Sequence, residues 1–394
     1  MIIKPRIRGF ICTTAHPVGC AAGVDEQISF AQEHASGTNG PKKVLVLGAS
    51  GGYGLASRIV CAYGFGASTL GVSFERPPSE NRTASAGWYN NRAFERRAHA
   101  DNLYAKSFDG DAFSDDMKAQ VIETIQSDLG QIDLLVYSLA SPVRQHPRTG
   151  KLHRSAIKPL GENIEVQTLH VDRGEVHKVV LESASEEETA NTVAVMGGED
   201  WEFWIEVLSE AGVLAKGFKT VSFTYIGTEL TWPVYWHATL GKAKEDLDRA
   251  STSIGKSLEA IHGSSQVVVL KAVVTQASSA IPVVPLYNSL LFRVMKNAGV
   301  HENCIEHINR MFHTQLYIEA QRLDDQGRLR MDDLEVEPGI QDEINRLWDI
   351  VSTENLAELA DLDGYRSDFL RIFGFGIAGV DYEADVDHLL ASDP

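Results

Sequence analysis

Between Lys42 and Gly64 the chain reads KKVLVLGASGGYGLASRIVCAYG, and this stretch limits the fold more than any other. Four consecutive apolar residues, Val44 to Leu47, have the character of a buried strand, and the residues after Gly54 have the apolar spacing of a helix. Gly48, Gly52 and Gly54 between them fit GxxxGxG, with Gly51 as a fourth glycine. A backbone turning that tightly from strand to helix can approach a pyrophosphate only where Cβ atoms are missing. The helix amino terminus then offers unpaired N–H donors and the positive end of its dipole. Ser50 and Tyr53 are placed to add contacts at the same turn. Glycine also ends strands for steric reasons, so context decides the reading. Here a strand precedes the turn, a helix follows it, and Glu75 closes the next apolar run at the spacing of a ribose contact. A carboxylate there accepts from ribose hydroxyls and repels a 2′-phosphate, which predicts NADH over NADPH; Arg76 beside it is a competing phosphate partner.

Further β-like runs at Thr69 to Phe74, Leu103 to Phe108, Asp133 to Ser138, Thr220 to Ile226 and Val267 to Val274 alternate with helical patterns. Continuous apolar strands alternating with helices predict an α/β fold, a Rossmann-like doubly wound parallel sheet covered on both faces. No repeat, low-complexity tract or Pro/Ser-rich linker divides the chain, so a single elaborated domain spanning 1–394 is expected. Residues 1–40 carry no clear βα signal and are expected to form a small antiparallel cap. Residues 41–285 form the dinucleotide-binding core, interrupted at 160–196 by IEVQTLHVDRGEVHKVVLES, whose Asp-Arg-Gly predicts a β-hairpin. Residues 286–394 form a helical carboxyl-terminal extension, with helices expected at Leu286 to Ala298 and Glu302 to Gln321 and an acidic, solvated face from Asp332 onward.

Thirty-six Lys and Arg stand against 54 Asp and Glu, a formal charge of −18. Such a field opposes nucleic acid and anionic membrane, so any anionic ligand must be held by a local site. Cys12, Cys20, Cys61 and Cys304 lack CxxC spacing. They read as free thiols of a reducing compartment, with no metal site, and the cytoplasm is the expected location. The apolar run of MIIKPRIRGF is too short for a signal peptide, and no stretch approaches the ~18 apolar residues that span a bilayer. A local basic cluster, Arg92, Arg96 and Arg97, reads as a solvated helix face, with an acidic carrier protein as its alternative partner.

The chemistry-bearing segment is SFTYIGTELTWPVYWHATLGKAKEDLDRA, with Tyr225, Tyr235, Lys242 and Lys244. A phenol that donates to a developing enolate, next to an ammonium that lowers its pKa and reaches the cofactor ribose, serves hydride reduction of an activated double bond. Tyr235 and Lys242 are seven apart, two helical turns, whereas Tyr235 and Lys244 are nine apart and pair only if the tyrosine precedes the regular helix. Pro233 and Gly241 allow that, with the helix starting near Gly241. Its apolar stripe would be Ala243, Leu247, Ala250, Ile254, Leu258 and Ile261, which puts Lys244 about 85° and Lys242 about 115° from the stripe centre. Spacing alone leaves both lysines open.

GASGGYG, Glu75, YSLASP, and Tyr235 separated from Lys244 by eight intervening residues resemble the short-chain dehydrogenase/reductase superfamily in its long enoyl-reductase branch. The opening MIIKPRIRGFICTTAHPVGC and the full length resemble more closely the bacterial FabV-type trans-2-enoyl-CoA and enoyl-acyl-carrier-protein reductases. The resemblance implies reduction of the trans-2 double bond of enoyl-ACP or enoyl-CoA by NADH in fatty acid biosynthesis. It implies Tyr235 as proton donor, Lys244 as the ribose lysine and Tyr225 against the acyl thioester. It also implies cofactor contacts at Gly48, Ala49, Ser50, Gly51, Gly52 and Tyr53, at Phe74 and Glu75, at Asp111 and Ala112, at Leu139 and Ala140, and at Val273, Val274 and Thr275. The last three are expected to end the strand facing the nicotinamide. Gln276 to Pro285, apolar and proline-containing, is expected to border the acyl channel, and the added segments suggest a monomer. A ketone or alcohol dehydrogenase of the same superfamily, and a non-catalytic NAD(H) sensor, are the rival readings.

Overall fold

The computed structural model describes residues 1–9, 11–35 and 39–389. A short hairpin of β1 (Ile7–Arg8) and β2 (Ile11–Cys12) leads into α1 (Pro17–Glu33). The sheet then begins with β3 (Lys43–Leu47), α2 (Gly52–Ile59), β4 (Ser68–Ser73), α3 (Ala86–Ala100), β5 (Ala105–Asp109), α4 (Asp115–Thr124) and β6 (Ile132–Tyr137). Two hairpins follow, β7 (Val143–Gln145) with β8 (Leu152–Arg154) and β9 (Ile164–His170) with β10 (Glu175–Leu181). After α5 (Glu186–Met196) and α6 (Glu199–Glu210) the sheet resumes with β11 (Leu214–Thr224), α7 (Thr239–Ser257) and β12 (Ser264–Val269). The remainder is α8 (Val284–Asn297), α9 (Cys304–Met311), β13 (Leu329–Arg330), α10 (Pro338–Ile350), α11 (Leu356–Leu359) and α12 (Leu362–Ile372).

One seven-stranded sheet carries the order β13-β12-β11-β6-β3-β4-β5, every neighbouring pair parallel. Strand order reverses between β3 and β6, so the crevice between their carboxyl ends is the natural ligand position of a doubly wound sheet. The strands earn burial on both faces by composition: Val44, Leu45, Val46 and Leu47 are all fully buried, split between two apolar clusters on opposite faces. A third cluster joins α8, α10 and α12.

Helix starts follow local chemistry. Ser185 and Glu188 form a capping box on α5, as do Asn303 and Glu306 on α9, and Pro338 opens α10 with the Glu337 carboxylate accepting from Ile340 N–H at 3.0 Å.

Several expected boundaries move. The amino-terminal cap is chiefly helical: α1 buries Val24, Ile28 and Ala31 in the main core, which its mixed Gly and polar sequence hid. The apolar run Val267 to Val274 ends as β-structure at Val269, so residues 270–275 lie beyond the strand, and Val273 to Thr275 do not end it. The helix expected to reach Gln321 stops earlier, its last α-turn giving way to a π-helical turn at Phe312–Leu316. β13, two residues long, carries no period-2 signal and was not expected at the sheet edge. The Asp-Arg-Gly hairpin is present, with Glu175 opposite His170.

Candidate active site

Gly48 ends β3 at φ +84°, and a Cβ on it would lie 2.2 Å from Ser138 O, at the end of β6. Gly54 is equally confined, its Cβ position 2.0 Å from Gly48 O. These contacts close the two strands and the first turn of α2 onto one another, which only glycine permits. Gly51 is the N-cap of α2 and contributes no side-chain cap; the first helical N–H to find a main-chain acceptor is that of Leu55, on Gly51 O at 3.1 Å. The Gly48 and Ala49 N–H groups donate to Val72 O at 2.8 and 3.2 Å, those from Ser50 to Gly54 are bare, and Gly51 has open space where its Cβ would be. This is a cradle suited to a dinucleotide pyrophosphate. Ser50 and Tyr53 are held by the protein: Ser50 Oγ donates to Glu75 Oε1 at 2.6 Å, and Tyr53 OH donates to Lys271 O at 2.8 Å.

Beside the turn lies a cavity of about 200 Å³. Tyr53, Leu139, Ala140, Val273 and Thr275 line it together with Tyr225, Tyr235 and Lys244. Ala277, Ser278, Ile281 and Val284 complete the wall, so the segment 276–285 does border this space. Phe74, Glu75, Asp111 and Ala112 lie away from it, at the ends of β4 and β5, where an extended dinucleotide would reach its adenosine half. Phe74 is 80% exposed. Glu75 is fixed by Ser50 and by its own N–H donating to Asp109 Oδ1 at 2.7 Å. Arg76 turns aside and donates to Thr83 O at 3.3 Å. Asp111 Oδ1 accepts from Phe113 N–H at 2.9 Å, and Ala112 O accepts from Trp204 Nε1 at 3.1 Å.

The two lysines separate cleanly. Lys242 is exposed and paired with Glu245 at 2.8 Å. Lys244 lines the cavity with no hydrogen-bond acceptor among the described residues, and burial lowers its pKa to about 8 against the opposing pull of Asp248. The irregular approach is also present: a 3₁₀ turn at Trp232–Val234 delivers Tyr235 before α7 begins, and Gly241 packs on Trp236, its Cβ position 1.8 Å from Trp236 O.

The tyrosines also divide. Their rings meet edge to face, centroids 5.1 Å apart at 82°. Tyr235 is buried, its phenol pKa pushed up by that burial, and its hydroxyl has no partner among the described residues. The Tyr225 hydroxyl is committed, donating to Glu335 Oε1 at 2.8 Å. Glu335 belongs to the carboxyl-terminal extension and no sequence signal pointed to it. Its only mark was a single acidic residue in a stretch full of them. Burial raises its pKa, opposed in turn by the Ala272 N–H, Lys271 and the phenols of Tyr225 and Tyr287.

A glycine-cradled dinucleotide turn next to a cavity holding a protonated phenol and a lysine defines a nicotinamide-dependent reductase of the Rossmann type. Residues 82–317 match the family described as trans-2-enoyl-CoA reductase catalytic region, 2–80 the NAD(P)H binding domain of trans-2-enoyl-CoA reductase, and 323–386 an enoyl reductase FAD binding domain. The enoyl-[acyl-carrier-protein] reductase [NADH] FabV of Aeromonas salmonicida is 58% identical over 98% of both chains, and the corresponding enzyme of Edwardsiella ictaluri 56% over 98% of both. The crystal structure of Treponema denticola trans-2-enoyl-CoA reductase in complex with NAD superposes with a TM-score of 0.95 at 47% identity, covering 98% of each chain. This chain belongs to the trans-2-enoyl-CoA reductase family, in its FabV-type enoyl-acyl-carrier-protein reductase branch.

The three matched segments share one sheet: β3 and β4 come from 2–80, β5, β6, β11 and β12 from 82–317, and β13 from 323–386, the third. The flavin in the third segment's name finds no matching cradle. Gly374, Gly376 and Gly379 there spell GxGxxG, but they follow α12 and no helix follows them among the described residues. Gly374 instead packs on α1, where its Cβ position is 2.4 Å from Cys20 N. Among the described residues, no group of His, Cys, Asp or Glu side chains is arranged to hold a metal ion, and no helix is long and apolar enough to cross a membrane.

Proposed function

We propose that this chain reduces the trans-2 double bond of enoyl-CoA and enoyl-acyl-carrier-protein thioesters with NADH, in fatty acid biosynthesis. When bound, NADH supplies hydride to Cβ of the enoyl chain. Tyr235 donates its free hydroxyl to the thioester oxygen, stabilising the enolate charge that develops there, and is the source of the proton that completes reduction at Cα. Lys244 reaches the cofactor ribose and biases the phenol electrostatically. Tyr225 meets the acyl thioester, and Ile281 and Val284 border the chain. The observation that carries the reading is the convergence on one cavity of an uncommitted phenol and an uncommitted lysine, beside the glycine turn, in a chain of this family. Tyr235→Phe is expected to lower kcat for crotonyl-CoA at least a hundredfold with NADH binding unchanged. Near-normal turnover would overturn the assignment.

The cofactor contacts follow the same division. Gly48 to Tyr53 hold the pyrophosphate, Phe74, Glu75, Asp111 and Ala112 the adenosine half, and Leu139, Ala140 and Val273 to Thr275 the nicotinamide half. Glu75 selects NADH over NADPH. The common sheet favours a single elaborated unit, and we take the protein as a cytoplasmic monomer. Arg92 and Arg97 are exposed and ion-paired within or beside α3, as a solvated face would be.

A further inference from the structure

We propose that Glu335 is a positioning residue for the reduction, its carboxylate fixing the Tyr225 phenol so that Tyr235 alone is left to donate to the substrate oxygen. The proposal rests on the placement of Tyr225 and Tyr235 at the thioester given above. It assigns the carboxyl-terminal segment a part in the reductase site.

Glu335 is fully buried, between β13 and α10. Its Oε1 accepts from Tyr225 OH at 2.8 Å and from Tyr287 OH at 2.9 Å, and its Oε2 accepts from Ala272 N–H at 2.6 Å. The three donors come from the chain after β11, from α8 and from the chain after β12. These are the pieces that wall the cavity, and one carboxylate ties them together. Among the described residues no basic side chain pairs with it. The nearby Lys271 ammonium donates instead to Ala272 O at 2.8 Å and Glu302 O at 3.1 Å. Burying a carboxylate without a cation costs several kcal/mol, and apolar packing would join the same elements at less expense. What an apolar side chain would not do is consume a phenol hydrogen.

That consumption has a chemical result. A phenol carries one hydrogen. With its hydrogen on Glu335, Tyr225 offers the cavity only its ring and an acceptor lone pair. Tyr235, edge to face against it at 5.1 Å, keeps a free hydroxyl. Two tyrosines in one cavity are thereby given different hydrogen-bond polarity. Release of Tyr225 from Glu335 lets a second donor compete for the thioester oxygen and frees the ring that braces Tyr235.

Steady-state kinetics with crotonyl-CoA and NADH test this in a double-mutant cycle. In Glu335→Gln the Ala272 N–H can only donate and so takes the amide oxygen, which turns the amide NH2 toward both phenols and frees their hydrogens. The variant is expected to lower kcat at least tenfold while the KM for NADH stays within twofold. In a Tyr225→Phe background, itself impaired, the same change is expected to alter kcat less than twofold. Equal losses in both backgrounds, or no loss in the otherwise native enzyme, would overturn the proposal. A Tyr225→Phe enzyme with native turnover would instead overturn the placement of Tyr225, and the proposal with it. Glu335→Asp, which keeps the charge and shortens the reach, serves as the second variant if Glu335→Gln does not fold to bind NADH. The same loss of kcat at unchanged NADH KM is expected of it, and full activity would count against the proposal.

Discussion

Two buried carboxylates in this protein each hold a tyrosine, and they are partnered in opposite ways. Asp200, in α6, has Lys118 at 2.9 Å and Tyr137 OH at 3.2 Å, all three side chains enclosed between α4, β6 and α6. Glu335 has two phenols and an amide and no cation. Burial raises the pKa of both carboxyls, and in Asp200 the lysine is the leading opposing influence while in Glu335 it is the Ala272 N–H. An ion pair neutralises a buried charge and adds little that a reaction can use. A carboxylate served by phenols controls where their hydrogens point. The first arrangement lies in the packing between α4, β6 and α6, the second in the wall of the cavity.

The largest effect that separates them is on stability. Asp200→Asn leaves the Lys118 ammonium buried without its countercharge, and urea unfolding is expected to show a loss of about 3–5 kcal/mol with kcat within twofold of native. Lys271, buried nearby, loses the Glu335 charge but keeps Ala272 O and Glu302 O as acceptors, so Glu335→Gln is expected to cost about 1 kcal/mol while turnover falls. If the two variants lose comparable stability and comparable turnover, the distinction fails.

Removing the phenols sharpens the contrast. Tyr137→Phe deletes one donor to Asp200 and is expected to cost about 1–2 kcal/mol with kinetics unchanged. Tyr225→Phe is expected to lower kcat for crotonyl-CoA about tenfold, at the low end of what positioned acid–base groups contribute, with a smaller change in the unfolding midpoint. The two measurements on each variant, turnover and unfolding, should move in opposite order.

The glycine turn was legible because its physics is local. Gly48 and Gly54 are required by contacts within a few residues or across adjacent strand ends, and such constraints leave a mark in the sequence. Spacing left Lys244 and Lys242 open and only the family resemblance pointed to Lys244; the geometry that separates them lies in the start of α7 and the turn before it. Glu335 and Tyr287 meet Tyr225 from more than 100 and 60 residues away respectively. No periodicity or motif records a contact of that range, and an acidic run reads as solvent-facing until α8 and α10 are seen to close over one member of it. The amino-terminal helix was missed for a related reason: α1 is stabilised by tertiary burial of Val24, Ile28 and Ala31 more than by its own pattern.

Lys244 offers a comparison with Lys118, since burial acts on both ammonium groups and only Lys118 is ion-paired, Asp248 influencing Lys244 without pairing with it. The lowered pKa of Lys244, about 8 against an ordinary 10.5, means that between those values the unfolded chain binds a proton that the folded apoenzyme has released. Stability from this group therefore rises with pH across that window, and below about 8 the cost of its buried charge is fully present. If the ammonium is the form that holds the ribose, NADH binding weakens above pH 8, by up to about tenfold per unit until the lysine is neutral throughout. Fluorescence titration of NADH at pH 7 and pH 9.5 should show this loss in the native enzyme and a flat profile in Lys244→Met. A native profile that is flat as well would remove Lys244 from the cofactor site.

A third carboxylate completes the series with the smallest expected effect. Glu75 has neither a cation nor a phenol: Ser50 Oγ donates to its Oε1, and its Oε2 has no partner among the described residues. One oxygen is anchored and the other is available at the mouth of the adenosine side, while Arg76 is drawn off toward Thr83. Selectivity then rests on a single charge that is half-buried and partly screened, so its removal should shift preference without abolishing binding. Glu75→Ala is expected to raise the NADPH-to-NADH ratio of kcat/KM about tenfold, chiefly through a lower KM for NADPH, because Gly48 to Gly54 still hold the pyrophosphate. Ser50→Ala, which frees the anchored oxygen and leaves the charge, is expected to shift the ratio less than threefold. If Ser50→Ala has the larger effect, the geometry of the turn sets cofactor choice and the charge of Glu75 does not.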